Sequence, residues 1–271
     1  MSKLIDMKKL IAAALFAVVG IWTGVAQAST ATSDITDMWW IPSESGWGVN
    51  IIQQNDAAFA TFFVYDAQKI PMWYTSTLFY QGVAANGSLV WSGDLVATTG
   101  PWFGGPFPPS GVTRRIAGSV SFTLVDLNDA ILQYSVDGVI VTKAVQRETW
   151  TNENYTGNYL GGYSVRFSGC NPSSLNGVVD FGGAMSVTQN GSDVTISVAT
   201  DTGDACTFNG TYSQAGKYGQ VDGTYACGDG TSGTFSAYEM TPTINGFMAS
   251  VSGRSQFCQW SGSLGGITLA P

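Results

Sequence analysis

Chemistry in this chain has to come from carboxylates, because its 271 residues include no histidine. Ser-His-Asp and Cys-His nucleophile systems are excluded, as are H-E-x-x-H sites and His-ligated zinc, copper or haem. The four cysteines, Cys170, Cys206, Cys227 and Cys258, have no C-x-x-C spacing. Their even number in an exported chain points to disulfides rather than to a metal. Glu44, Asp66 and Asp94 are the candidate carboxylates of the aromatic-rich half. A glycosidase needs two of them about 5 to 10 Å apart beside a sugar-binding ring. Gly228-Asp229-Gly230 and Asp201 to Asp204 lack the D-x-[DN]-x-[DN]-G spacing of a calcium loop and read as turns. Lys143 and Lys217 have no serine at a dyad spacing. No catalytic residue, metal site or cofactor is predicted, and the enzyme reading leans to no.

The residues suited to recognition are aromatic. Trp39 to Gln54 reads W-W-I-P-S-E-S-G-W-G-V-N-I-I-Q-Q. Pro42 biases Ile41 toward extended backbone, and Gly46 and Gly48 permit a bend, so the run reads as strand, loop, strand with Glu44 and Trp47 at the loop. Thr98 to Gly111, T-T-G-P-W-F-G-G-P-F-P-P-S-G, is too rich in proline and glycine for regular structure and carries Trp102 and Phe103. Two readings stand for these rings: core filling, since a buried aromatic covers roughly 150–250 Å², or a surface that meets a ligand. Glu44, Trp47, Trp73, Tyr74, Trp102 and Phe103 are the predicted ligand-binding set.

The pattern W-x-P-x-E-S-G-W-G-V-N at Trp40 to Asn50 is followed by F-A-T-F-F-V-Y-D at Phe59 to Asp66 and P-M-W-Y at Pro71 to Tyr74. G-D-L-x-x-T-T-G-P-W-F-G at Gly93 to Gly104 goes with them. Together these motifs resemble a set of uncharacterised secreted proteobacterial β-rich proteins, and the likeness covers most of Trp39 to Trp150. The resemblance implies an extracytoplasmic β-rich module and brings no activity with it.

The elements that must position these rings follow from the rest of the chain. Residues 1–28 have the three parts of a signal peptide: Lys3, Lys8 and Lys9, an apolar run from Leu10 to Val25, and Ala26-Gln27-Ala28. The run falls short of the ~20 apolar residues of a membrane span, so a secreted or periplasmic chain with no later span is expected. Cleavage removes those lysines and Asp6, so 11 basic and 19 acidic residues become 8 and 18, and the net charge moves from −8 to −10. Such a surface repels phosphate, which excludes nucleic acid as the expected partner. Residues 29–38 are small and polar and read as a flexible N-terminus.

Short runs with turn signals and little 3.6-residue periodicity predict an all-β fold of two consecutive antiparallel β-sandwich or β-barrel domains. One is an aromatic-rich domain over residues 39–150 and the other a disulfide-containing meander over 155–271. Eight of the nine tryptophans precede the polar stretch Thr151 to Asn154, and all four cysteines follow it. Within the first domain, hairpin geometry predicts Ile52 opposite Phe59, Trp47 opposite Val64 and Val64 opposite Trp73. The strand from Phe59 to Tyr65, apolar on both faces, reads as covered on both sides. In the second, Asn190-Gly191 predicts Met185 opposite Ile196 and Val187 opposite Val194. The turn at Ala215 to Tyr218 places Gln214 opposite Gly219, Phe208 opposite Tyr225 and Cys206 opposite Cys227. That leaves Cys170 to pair with Cys258 and join the ends of the meander.

Three function classes follow. The favoured one is a secreted, non-catalytic binding module whose aromatic residues recognise a glycan, envelope polymer or protein surface. The alternatives are a carboxylate-dependent polysaccharide hydrolase and a structural envelope or matrix protein. An outer-membrane barrel is weaker, because the chain ends in Ala270-Pro271 without a terminal aromatic strand.

Overall fold

A computed structural model describes residues 31–200, 203 and 205–269; the expected leader at 1–28 lies outside the described residues. The first of two closed barrels contains β1 (Asp37–Trp40), β2 (Gly48–Gln54), β3 (Ala57–Tyr65), β4 (Pro71–Val83), β5 (Leu89–Thr99), β6 (Thr113–Leu124), β7 (Asp129–Val136) and β8 (Val139–Arg147). The second contains β9 (Gly157–Ser168), β10 (Gly177–Asn190), β11 (Asp193–Thr200), β12 (Ala205–Ala215), β13 (Tyr218–Cys227), β14 (Ser232–Thr243), β15 (Gly246–Ser255) and β16 (Gln259–Thr268). Each is an antiparallel meander whose last strand pairs with its first. The fold is therefore all-β, and of the two expected architectures it is the barrel.

Period-two patterning decides which side chains enter each barrel. In β7, Ala130, Leu132 and Tyr134 point in and are buried, while Ile131 and Gln133 point out. The first interior centres on Trp39, Trp91 and Phe122, with Trp39 and Phe122 edge to face at 4.8 Å. The second centres on Tyr155, Tyr159 and Phe247 near its first residues, with Tyr159 and Phe247 edge to face at 4.9 Å. These apolar interiors differ from the polar lumen of outer-membrane barrels.

Four expectations need correction. The turn from β3 to β4 has five residues, since Tyr65 pairs with Pro71, so Phe63 rather than Val64 faces Trp73. Asp66 shapes this turn: its carboxylate accepts the N–H groups of Gln68 and Ile70, and Lys69 adopts a left-handed φ of 64°. One residue of slip moves a side chain to the other face, so Trp73 and Phe63 lie outside while Val64 and Met72 pack against the core. Phe59, Phe63 and Tyr65 are exposed, so the outer face of β3 is not covered. At Asn190-Gly191 the register is shifted by two: Asn190 pairs with Asp193 and Val187 with Ile196. Gly191, at φ 61°, is the first of two loop residues, the position that a II′ turn reserves for glycine. A shift of two preserves the faces, and Val187, Val194 and Ile196 are all buried.

Nor is the segment before β1 loosely held. Ile35 is fully buried in the first core, and its carbonyl accepts the Trp39 indole N–H at 3.0 Å. Asp34 and Thr36 are fixed by the last residue of β8.

That residue, Arg147, is completely buried. The pairing of β1 with β8 amounts to two residue pairs, Trp39 with Arg147 and Trp40 with Gln146, whereas β9 and β16 match over ten. The Arg147 guanidinium supplements this short seam by donating to the carbonyls of Leu127, Thr36 and Asp34 and to Asp37 Oδ2. It also lies 4.5 Å from the Trp39 ring and 4.8 Å from the ring of Tyr218 in the second barrel. Removing one partner of a buried, hydrogen-bonded charge strands the others. Arg147→Met is expected to destabilise the protein by about 3–5 kcal/mol in urea unfolding. Arg147→Lys should recover only part of this, because an ammonium lacks the planar five-donor fork.

Candidate functional site

The connections at 41–47, 66–70, 100–112 and 137–138 share one end of the first barrel, as strand direction requires. Glu44, in a short 3₁₀ turn at Pro42–Glu44, accepts the Trp47 indole N–H at 3.0 Å and an ammonium hydrogen bond from Lys143. Lys143 sits on β8 opposite Leu132, and its ammonium is 4.9 Å from the Trp47 ring. The Lys143 hydrogen bond holds the Glu44 carboxyl below the ordinary carboxylate range against the opposing effect of desolvation, with help from Trp47. Burial, followed by the charge of Glu44, pushes the Tyr134 hydroxyl up. Glu44 is thus an ionised latch between the β1–β2 connection and β8, the opposite of a proton donor poised near neutrality.

The three carboxylates weighed for hydrolysis do not meet. Asp66 caps its own turn between β3 and β4. Asp94 is exposed in the middle of β5, opposite Ser119. In a ring of eight strands β5 lies across the barrel from β1, so Asp94 and Glu44 occupy opposite sides. No group of three or more His, Cys, Asp or Glu side chains among the described residues is arranged to hold a metal.

The predicted ligand-binding set divides into three environments. Glu44 and Trp47 form the rim latch. Trp73 and Tyr74 are consecutive on β4 and therefore point to opposite faces: Tyr74, 5% exposed, belongs to the core, and Trp73, 53% exposed, lies on the outer wall. Trp102 and Phe103 project from the 100–112 connection, 71% and 90% exposed, with ring centroids 5.9 Å apart. The Trp102 ring folds over Gly104, where any Cβ would collide with it. This loop carries exposed rings rather than closing over the core.

What sequence reading missed is the wall beside Trp73. Matching registers across β2, β3 and β4 gives an outward row of Gly48, Phe63 and Trp73, then Asn50, Thr61 and Thr75, then Ile52, Phe59 and Thr77, then Gln54, Ala57 and Phe79. Ile52, Phe59, Phe63, Trp73 and Phe79 are all exposed. The signal was present in the alternation of F-A-T-F-F, but it emerges only when the neighbouring strands are placed in register. None of these outward positions carries a charge.

The chain matches no family model, no curated protein and no solved structure. The two disulfides, Cys170–Cys258 and Cys206–Cys227, fit an extracellular or periplasmic protein. No helix among the described residues is long and apolar enough to cross a membrane.

The latch gives a testable titration. Because the folded pKa of Glu44 is depressed, the contact is intact above the unfolded carboxylate value and is lost as pH falls through the lower folded value. The Trp47 indole N–H resonance should therefore titrate with a midpoint below ~4.3, the ordinary glutamate value. Lys143→Met should move that midpoint upward, and Glu44→Gln should abolish the titration.

Proposed function

We propose that this chain is an exported, non-catalytic binding protein that recognises an extended neutral glycan through the outer wall formed by β2, β3 and β4. The observation that carries the reading is the alternation of rows: rings at Phe63 and Trp73, hydroxyl and amide side chains at Asn50, Thr61 and Thr75, then a ring again at Phe59. Residues four apart on a strand are roughly 13 Å apart. Two aromatic platforms at that separation, with hydrogen-bonding groups between them, suit a polymer whose sugar rings offer apolar faces and whose hydroxyls point sideways. Exposed aromatic surface of this extent is uncommon on a protein with no partner, and the absence of charge across the three strands favours a neutral polymer over an acidic one.

The rings of Trp102 and Phe103 lie at the end of the barrel where β4 begins. They extend the same character beyond the wall. Stacking contributes affinity without any acid-base step, which agrees with a carboxylate set that is scattered and, at Glu44, locked in an ion pair.

The test is retention of the protein on insoluble neutral polysaccharides, with acidic polysaccharides in parallel. Trp73→Ala and Phe59→Ala should each weaken retention about tenfold or more, a loss of ~1.4 kcal/mol, while leaving the unfolding midpoint nearly unchanged because both side chains are half exposed. Retention on no neutral polymer would overturn the proposal, as would equal retention of both variants. If instead sedimentation shows a dimer that Trp73→Ala dissociates, the wall is a self-association surface and the glycan reading falls.

A further inference from the structure

The two barrels are filled differently. In the second, the half nearest the first barrel is packed by Tyr155, Tyr159, Met185, Tyr212, Met240 and Phe247. The other half contains a cavity of about 350 Å³. Its floor includes Val165, Ile196, Ala237 and Val251, and one wall is a continuous set of rings. Phe208 and Tyr225 stack at 5.2 Å, Phe235 meets Phe208 edge to face at 5.0 Å, and Trp260 meets Tyr225 edge to face at 5.7 Å. The connections after β9, β13 and β15 bring Leu175, Asp229 and Phe257 to its outer end, and both disulfides border it.

We infer that this cavity is a binding site for one uncharged, largely apolar small molecule. Its volume falls within the ~300–1,000 Å³ of small-ligand pockets and is more than twice the ~150 Å³ of a dry apolar cavity that accepts benzene. An eight-stranded barrel has room either to be filled by its own side chains or to hold one small ligand, and here the far half takes the second course.

The polar groups around the site define the ligand further. The Asp229 carboxylate is engaged by the Thr231 N–H and hydroxyl, and the Ser255 hydroxyl accepts the N–H groups of Phe257 and Cys258. The Trp260 indole donates to the Tyr225 hydroxyl at 3.2 Å, and among the described residues no acceptor receives the Tyr225 proton. The Tyr225 hydroxyl is therefore left to donate from a largely apolar wall, which suits a ligand with a carbonyl or ether oxygen. Among the described residues no lysine or arginine lines the cavity, and the one carboxylate in its lining is Asp229. A carboxylate, sulfonate or phosphate head group would meet repulsion with no counter-charge, so fatty acids and other amphiphilic anions are selected against.

N-phenyl-1-naphthylamine, a neutral fluorescent probe, tests this on the full chain with both disulfides formed. Saturable binding of one probe per chain is expected, with micromolar or tighter affinity. Ala237→Leu and Val198→Phe fill the space from two sides and should each weaken the probe tenfold or more, with an unfolding midpoint unchanged or raised in at least one of them. The anionic probe 1-anilinonaphthalene-8-sulfonate should bind at least tenfold more weakly than the neutral one, and Asp229→Asn should narrow that gap. Trp73→Ala, on the outer wall of the first barrel, should leave probe binding unchanged, which separates this site from the glycan surface. The inference is overturned if the neutral probe does not bind, if both filling variants bind it like the parent, if Trp73→Ala abolishes binding, or if the anionic probe binds as tightly as the neutral one.

Discussion

A single buried arginine does two jobs in this molecule. Arg147 ends β8, where the seam with β1 is only two residue pairs long, and its guanidinium spends its donors on the segment before β1 and on the β6–β7 connection. Burial works against the charged form of Arg147, and the nearby Asp37 carboxylate works for it. The same carboxylate oxygen accepts the backbone N–H of Lys217 at 3.1 Å, so the group that neutralises the arginine also captures the β12–β13 hairpin of the second barrel. Lys217 returns an ion pair to Asp34 at 2.7 Å, and the Gly216 N–H reaches Thr149 Oγ1 at 3.0 Å. Gly216 has a φ of 57°, and a Cβ there would run into the Asp37 carboxylate and Arg147 Cβ. Only glycine suits both the turn and the contact.

This junction also decides what the two barrels leave free. The first barrel presents its β1 start, β8 end and β6–β7 connection to the hairpin at 216–217, so its Glu44 and Trp102 end faces away. The second barrel docks through the end opposite its disulfides, so its cavity also lies far from the contact. Interior filling follows the same division. Large rings from β1, β5 and β6 meet in the first barrel, whereas the far half of the second surrounds a cavity bordered by two covalent cross-links. Glycine contributes as well: Gly161 and Gly162 on β9 lie against Gly183, Gly266, Gly182 and Gly265 on its two neighbours, where a Cβ on Gly161 or Gly162 would strike facing backbone. Strands can bend sharply there to close the barrel.

How much of this was legible depends on the distance over which each feature is specified. Strand existence and the Cys206–Cys227 register follow from alternation and from a turn whose two residues, Gly216 and Lys217, leave Gln214 opposite Gly219. The register of Trp73 turned on the length of one loop, where Asp66 hydrogen bonds and a left-handed Lys69 add a residue that composition does not announce. The outer aromatic wall required three registers to be correct together. The fate of Arg147 and Ile35 required knowledge of what lay across a seam more than 100 residues away in sequence. The cavity was less accessible still, because inward residues are recognisable from period two but the space between them is set by strand tilt and stagger around a closed ring.

Charge placement joins the two proposed surfaces. Among the described residues four of the eight cations are in ion pairs: Arg115 with Asp137, Lys143 with Glu44, Arg147 with Asp37 and Lys217 with Asp34. Two of these pairs sit at the free end of the first barrel and two at the junction, so half the positive charge serves to fix connections and seams. Carboxylates remain in excess, and among the described residues they stay off the outward positions of β2 to β4 and, apart from Asp229, out of the cavity lining. A ligand bearing negative charge meets an acidic molecule whose cations are half committed elsewhere. A neutral ligand meets rings and hydroxyls at both sites, with amides added on the wall and aliphatic side chains in the cavity, and none of these groups requires a counter-ion.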